Sequence, residues 1–368
     1  MNEHAIGTQS ASSAASVAFF ERVNHITAQT APTPIPAYAT DTPAHDSFGR
    51  RIDYLRISLT DRCNMRCVYC MPEQGMQFMP RPELLTTDEL LRILHAAARA
   101  GFRKIRLTGG EPMLRRDIVE LIGAVKAIPG IEHIAMTTNG LRLKSTADAL
   151  KAAGLDRVNV SIDSLDPVRF RFMTRGGKLD DVWAGIQAAQ AAGLTPLKLN
   201  AVVVRGLNDH EVVNLAALTL HNNWEFRFIE VMPLTGVAGV AQDGVVSTAE
   251  LIERLEAAYG PLASLGQSHS DPARRYRIAG ATGTLGFISS VTDPFCSTCN
   301  RMRLTADGRL HLCLLRDNEV DLRGLLRSSA SDAELEQLIR HAVMIKPWGH
   351  GLPDGVLPTL RGMSQLGG

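Results

Sequence analysis

From Ile52 onward, short runs rich in β-branched residues alternate with stretches whose apolar residues recur every three or four positions. Tyr54 to Leu59, Lys104 to Thr108, Ile134 to Thr138, Arg157 to Ile162, Leu197 to Val204 and Phe226 to Val231 read as strands. Between them Thr87 to Ala100, Leu114 to Ile128, Ser145 to Ala153, Asp181 to Ala192 and Asp209 to His221 carry the helical period, the first capped by Thr86 or Thr87 and stopped at Gly101. Regular strand-helix alternation implies a parallel sheet, and six units predict an incomplete (β/α)6 TIM-type barrel rather than a closed eightfold one. Chemistry is then expected at the C-terminal ends of the strands.

After Pro233 the pattern changes to a helix at Ser247 to Ala258, short strands at Tyr276 to Ile278 and Thr284 to Ser289, a hairpin turned at Asp307-Gly308, and two terminal helices. Residues 234–368 are therefore expected to form a smaller α+β region packed on a barrel of residues 47–233. Residues 1–46, with an Ala/Ser run from Ser10 to Ser16 and prolines at 32, 34, 36 and 43, are expected to be a disordered extension.

Strand parity adds a chemical constraint. Lys104, Arg106 and Thr108 share one face of their strand, as do Arg56, Ser58 and Thr60; Asn159, Ser161 and Asp163; and Lys198 and Asn200. With helices covering the outside, these polar faces point into the barrel, where unpaired cations are costly, so an anionic ligand is expected there. Arg301 and Arg303 alternate in the same way. Guanidinium and ammonium groups in this arrangement suit a polyphosphate. The chain as a whole carries 39 Lys and Arg against 38 Asp and Glu, so bulk charge drives it neither to nucleic acid nor to an anionic membrane. No apolar run approaches the roughly 18 residues that span a bilayer, and no secretory signal pattern opens the chain, so a cytoplasmic location is expected.

The six cysteines fall into two sets of three. Cys63, Cys67 and Cys70 form C-x3-C-x2-C directly after the first strand, and Cys296, Cys299 and Cys313 form C-x2-C-x13-C. Three thiolates on a 4Fe-4S cluster leave one iron open to another ligand. Zinc is the alternative. No His or Cys near the first set supplies a fourth ligand, but His311 could share a strand face with Cys313 and complete the second, so spacing leaves zinc open there.

The string Asp61-Arg62-Cys63-Asn64-Met65-Arg66-Cys67-Val68-Tyr69-Cys70 resembles the signature of the radical S-adenosylmethionine (SAM) superfamily, and Gly109-Gly110-Glu111-Pro112 resembles its GGEP loop. The resemblance implies a 4Fe-4S cluster on Cys63, Cys67 and Cys70 whose open iron is chelated by SAM. It places Tyr69 beside the adenine, Gly110 and Glu111 at the methionine ammonium, and Ser161 and Met232 among the SAM contacts.

With both cysteine sets, Thr137-Thr138-Asn139-Gly140, Ser161-Ile162-Asp163, Arg227-Phe228-Ile229-Glu230, Cys299-Asn300-Arg301-Met302-Arg303 and the terminal Gly367-Gly368, residues 48–368 resemble the GTP 3′,8-cyclase family of molybdenum cofactor biosynthesis. The likeness implies a second 4Fe-4S cluster on Cys296, Cys299 and Cys313, and a GTP pocket lined by Arg56, Lys104, Arg106, Thr137, Lys198, Arg227, Arg301 and Arg303. Arg301 and Arg303 would join the first cysteine set as catalytic residues, and the Gly-Gly tail would reach toward the site. The family's chemistry implies a one-electron donor such as flavodoxin or ferredoxin, and cyclic pyranopterin monophosphate synthase downstream. The oligomeric state is left open, a homodimer included. The rival readings are a two-cluster radical SAM peptide-modifying enzyme and a non-catalytic iron-sulfur or zinc-binding interaction protein.

Overall fold

The β-branched runs form six parallel strands in sequence order: β1 (Tyr54–Ser58), β2 (Lys104–Thr108), β3 (His133–Thr138), β4 (Arg157–Ser161), β5 (Lys198–Val203) and β6 (Glu225–Glu230). This computed structural model describes residue 38 and residues 43–234, 237–266 and 271–367. The expectations for residues 1–37 and 39–42 and for Gly368 lie outside them. Tyr38–Gly368 make one compact unit.

The folded chain begins earlier than residue 47. Ala44 is buried and donates its N–H to the Ala100 carbonyl, and a buried Asp46–Arg50 ion pair of 2.6 Å closes the turn that follows.

Helices connect the strands near the expected places, and their ends follow capping chemistry. Thr86 and Glu89 make a reciprocal capping box for Thr87–Arg99. Ser247 caps Thr248–Tyr259 by accepting from the Glu250 N–H. The stretch expected to be helical from Leu114 instead holds a 3-10 turn, Pro112–Leu114, before Ile118–Lys126, because Arg115 is extended (ψ 126°) between them. An additional helix, Pro167–Thr174, follows β4, with Asp166 as its cap and proline in its first turn.

The C-terminal third contributes β7 (Ala263–Ser264), β8 (Arg274–Arg277), β9 (Thr284–Ile288), β10 (Arg301–Leu304), β11 (Arg309–His311) and β12 (Glu319–Asp321). These strands extend the same sheet: β10 pairs in parallel with β1 and β9 with β6, giving the order β12-β11-β10-β1-β2-β3-β4-β5-β6-β9-β8-β7 among the described residues. The sheet is open and mostly parallel. The hairpin between β10 and β11 turns at Gly308, whose φ of 77° lies in the left-handed region glycine favours.

Strand parity sorts the two faces. Leu55, Ile57, Ile105, Leu107, Val158, Val160, Leu199, Phe226 and Phe228 are all buried in the main apolar core. Their polar neighbours face the interior of the open barrel, and the register sets Arg303, Arg56 and Arg106 side by side on β10, β1 and β2.

Candidate active site

The first cysteine loop leaves β1 and is held by backbone contacts on two sides. Gly110 N–H donates to Thr60 O at 2.6 Å and Glu111 N–H to Arg62 O at 2.8 Å, continuing the β1–β2 pairing beyond the strands. A Cβ on Gly110 would stand 2.3 Å from Arg62 O, so only glycine permits this approach. On the other side, Arg66 and Val68 donate their N–H groups to Thr174 O and Met173 O, both at 2.9 Å.

Glu111 anchors the neighbouring turn. Its carboxylate is buried and accepts from Thr138 Oγ1 (2.8 Å), Asn139 N (2.8 Å) and Met113 N (3.1 Å). It pins the Thr137-Thr138-Asn139-Gly140 turn through both oxygens. That turn presents Asn139 to the cysteine loop, with Nδ2 2.7 Å from Asn64 Oδ1 and 4.0 Å from Cys63 Sγ. Tyr69 OH donates to Asp163 Oδ2 at 2.7 Å, and Asp163 also accepts from Val202 N. Asp163 lies two residues beyond Ser161, which ends β4.

The six cysteines are all partly buried and free of disulfides. Burial, then the nearby Cys63 and Asp163, pushes the Cys70 thiol up to about 12, and burial raises Cys63 and Cys67 as well. Three thiolates gathered in such a place are favourable only when bound to cations. Among the described residues no three His, Cys, Asp or Glu side chains converge on one ion.

Every cation assigned by resemblance to the GTP pocket lines one cavity. Arg56, Lys104, Arg106, Thr137, Lys198, Arg227, Arg301 and Arg303 surround about 1520 Å³ of space, part of it open to solvent. Burial, then Arg303, lowers Arg56 well below its ordinary value, and burial with Arg301 brings Arg303 down to about 10. Burial alone would raise Tyr54; the guanidiniums of Arg106, Arg56 and Arg301 outweigh it and hold the phenol at about 8. The cavity is strongly electropositive, as an anion site requires. Buried Arg157 Nε, Asn159 Oδ1, Asn200 Oδ1 and Arg275 Nε have no hydrogen-bond partner among the described residues.

The expectation of unpaired cations holds only in part. Lys198 lies 3.0 Å from Glu225 and 3.3 Å from Asp271, Arg227 pairs with the same two carboxylates, and Lys104 is 3.5 Å from Asp53. Sequence parity missed these partners, and it also missed Arg157 and Arg275. Asp271 is 44 residues from Arg227 and nothing local to it signals the pairing.

A second cavity lies beside the first. Cys296, Cys299, Cys313, His311, Lys346 and His350 line it, and it shares Met232, Ser290, Phe295, Arg301, Arg303 and Leu314 with the cationic cavity. Met232, expected among SAM contacts, thus borders both. Arg50 braces this cysteine loop from outside, donating to Cys296 O and Trp348 O at 2.6 Å and to Pro347 O at 2.8 Å while stacking between Phe48 and Trp348. No sequence signal marked Arg50.

The first cysteine set does not line the cationic cavity; the C-terminal segment connects the two. Arg361 is locked by Asp307 (3.0 Å) and Glu319 (2.7 Å), and beyond it Ser364 donates its backbone N–H to Cys70 Sγ while Arg303 donates to Leu366 O and Gly367 O.

A three-cysteine loop at the mouth of an open parallel barrel defines a radical SAM enzyme. Residues 57–219 match the Radical SAM superfamily, and residues 224–352 match Molybdenum Cofactor Synthesis C. The fold is similar to that of Streptococcus suis SuiB bound to S-adenosylmethionine, with a TM-score of 0.54 at 17% identity, covering 81% of this chain and 68% of that one. A GTP 3′,8-cyclase from Pelotomaculum thermopropionicum is 48% identical over 88% of this chain and 99% of its own length, and one from Streptomyces coelicolor is 45% identical over 88% and 96%. The chain belongs to the GTP 3′,8-cyclase family. That membership decides for iron-sulfur clusters over zinc, and for an enzyme over an interaction protein.

Proposed function

We propose that the chain converts GTP to (8S)-3′,8-cyclo-7,8-dihydroguanosine 5′-triphosphate, the first step of molybdenum cofactor biosynthesis, with the residues above in defined roles. The observation that carries this reading is the single cavity lined by all eight expected GTP-pocket residues, two of which, Arg301 and Arg303, also line the adjoining cavity of the second cysteine set. Cys63, Cys67 and Cys70 would hold one 4Fe-4S cluster and Cys296, Cys299 and Cys313 another. With SAM bound, the first would supply one-electron reductive cleavage of SAM to methionine and a 5′-deoxyadenosyl radical, which would take the C3′ hydrogen of GTP; C3′ would then bond to guanine C8, and one further electron from the donor with one proton at N7 would complete the dihydro product.

The protein's own contribution is position and charge. Arg56, Lys104, Arg106 and Arg303 neutralise the triphosphate, and Thr137 adds a hydroxyl donor. Lys198 and Arg227, already paired with Glu225 and Asp271, act as a fixed wall more than as free cations. Arg301, flanking Cys299, orients the base end of the nucleotide toward the second cysteine set. Tyr69, Gly110, Ser161 and Met232 line the SAM side. The tail residues Ser364 to Gly367 close the space between the two cysteine sets and exclude water.

The reading includes residues 47–233 as the part that handles SAM and supplies six of the eight GTP-pocket residues, residues 234–368 as the part that carries the second cysteine set with Arg301 and Arg303, and a cytoplasmic setting. Among the described residues no helix is long and apolar enough to cross a membrane. Electrons come from a flavodoxin- or ferredoxin-type donor, and the product passes to cyclic pyranopterin monophosphate synthase.

The test is 5′-deoxyadenosine formation by the anaerobically reconstituted protein with dithionite and SAM, comparing GTP, ATP and no nucleotide. Stimulation by GTP alone, with a cyclised guanosine triphosphate formed, is expected. Equal cleavage in all three would remove GTP from the reading.

A further inference from the structure

The Pro167–Thr174 helix is apolar on its outer side as well as its inner one. Phe170 and Met173 are buried beneath it, yet Val168 and Phe172, four residues apart on one outer face, are 79% and 60% exposed. Large apolar side chains at that exposure have no folding role, and a contiguous patch of them marks a contact surface. The patch opens onto a groove lined also by Val68, Glu73, Arg171, Arg175 and Gly176.

Two further observations say what the patch is for. Val68 lies between Cys67 and Cys70, and the loop carrying it is hydrogen-bonded to the last residues of this same helix at Met173 and Thr174. The groove floor is therefore the back of the first cysteine loop. The charge lining it is positive on balance. Arg171 and Arg175 border the groove against Glu73. Arg66 and Arg175 are tied to backbone carbonyls, whereas Arg171 is exposed.

We propose that this face, Val168, Phe172 and Arg171 over the Cys67–Cys70 loop, is where an acidic one-electron carrier protein docks to deliver the reducing electron. The inference rests on the radical SAM reading above and deepens it. In the transfer the carrier is oxidised by one electron and the group held by Cys63, Cys67 and Cys70 is reduced by one; no bond is made or broken at this face. A small apolar centre with a cationic rim matches a transient redox encounter, in which charge speeds association and the contact area stays small. Electron transfer falls steeply with distance, and this groove includes Val68 of the Cys67–Cys70 loop.

The test uses reduced flavodoxin as the carrier and the variants Phe172→Glu and Arg171→Glu, with Arg171→Gln as a milder change. Affinity for oxidised flavodoxin, measured by calorimetry, is expected to fall at least about tenfold in the Glu variants and to lose its salt dependence in part. GTP-dependent 5′-deoxyadenosine formation driven by flavodoxin should fall by a similar factor through the KM for flavodoxin, while the dithionite-driven rate stays at the wild-type level. Unchanged flavodoxin affinity overturns the proposal. So does an equal fall in the dithionite rate, which would make the face structural, or a change in oligomeric state with flavodoxin affinity intact, which would make it a contact with a second copy. If wild-type protein shows no GTP-stimulated cleavage with dithionite, the functional reading fails instead, and the flavodoxin affinities still report on the surface.

Discussion

Binding of GTP at pH 8 is expected to draw about half a proton from solution, and Tyr54 is the group that takes it. Tyr54 stands opposite Lys104 on β2 and Arg301 on β10, and Arg106 donates a hydrogen bond to its phenol. Burial opposes ionisation of this phenol, but Arg106, Arg56 and Arg301 bring its pKa from 10.0 to about 8. The shift corresponds to a few kcal/mol of extra stabilisation of the phenolate, at about 1.4 kcal/mol per unit. At pH 8 the phenol is therefore about half ionised. A bound triphosphate neutralises the same guanidiniums and returns the phenol to its ordinary range, where roughly one molecule in a hundred is ionised at pH 8. The phosphates of GTP are already fully charged at that pH, so they do not supply the signal. Affinity for GTP consequently falls as pH rises through 8, because the phenolate must first be protonated. The sign for stability is the one for a lowered acid: the contribution is full above the ordinary value of 10 and is lost as pH falls through about 8. Calorimetry of GTP binding in two buffers of different ionisation enthalpy measures the uptake directly. Tyr38, Tyr69 and Tyr259 are all raised by burial and contribute nothing at this pH. Equal proton uptake in wild type and Tyr54→Phe would refute the electropositive pocket as its cause.

Two further changes test the scaffold of the first cysteine loop. Gly110→Ala sets a Cβ 2.3 Å from Arg62 O and 2.5 Å from Arg62 C, backbone atoms that cannot yield, so the loop must move; about half of the reconstituted iron should be lost along with SAM cleavage, and full iron content with wild-type cleavage would contradict the packing. Glu111→Gln turns one of two accepting oxygens into a donor facing Asn139 N–H or Thr138 Oγ1, and should cost about 1–3 kcal/mol in chemical denaturation. A neutral result there would mean that Glu111 does not anchor the turn.

Much of the site was legible along the chain because its signals are local. Period-two alternation on Lys104-Ile105-Arg106-Leu107-Thr108 is enough to send Lys104 and Arg106 to one face and Ile105 and Leu107 to the core, whatever the neighbours are. The spacing of Cys63, Cys67 and Cys70 holds three thiols within one loop, and Thr86 with Glu89 fixes a helix start through two adjacent hydrogen bonds. Tertiary packing decided the rest. Arg227 has Glu225 two residues away on its own strand, but Lys198 meets Glu225 only because β5 pairs with β6, and Asp271 reaches both cations only because β8 and β9 extend the sheet beyond β6. The place of the second cysteine set beside the cationic cavity depends on β10 pairing with β1, across more than 240 residues of chain, and on Arg50 clasping Cys296 from the N-terminal side. Glu111 showed its real partners only once β2 and β3 lay side by side. Periodicity and motif spacing constrain atoms a few bonds apart, whereas charge pairing and cavity walls are set by segments that meet only when the sheet has formed.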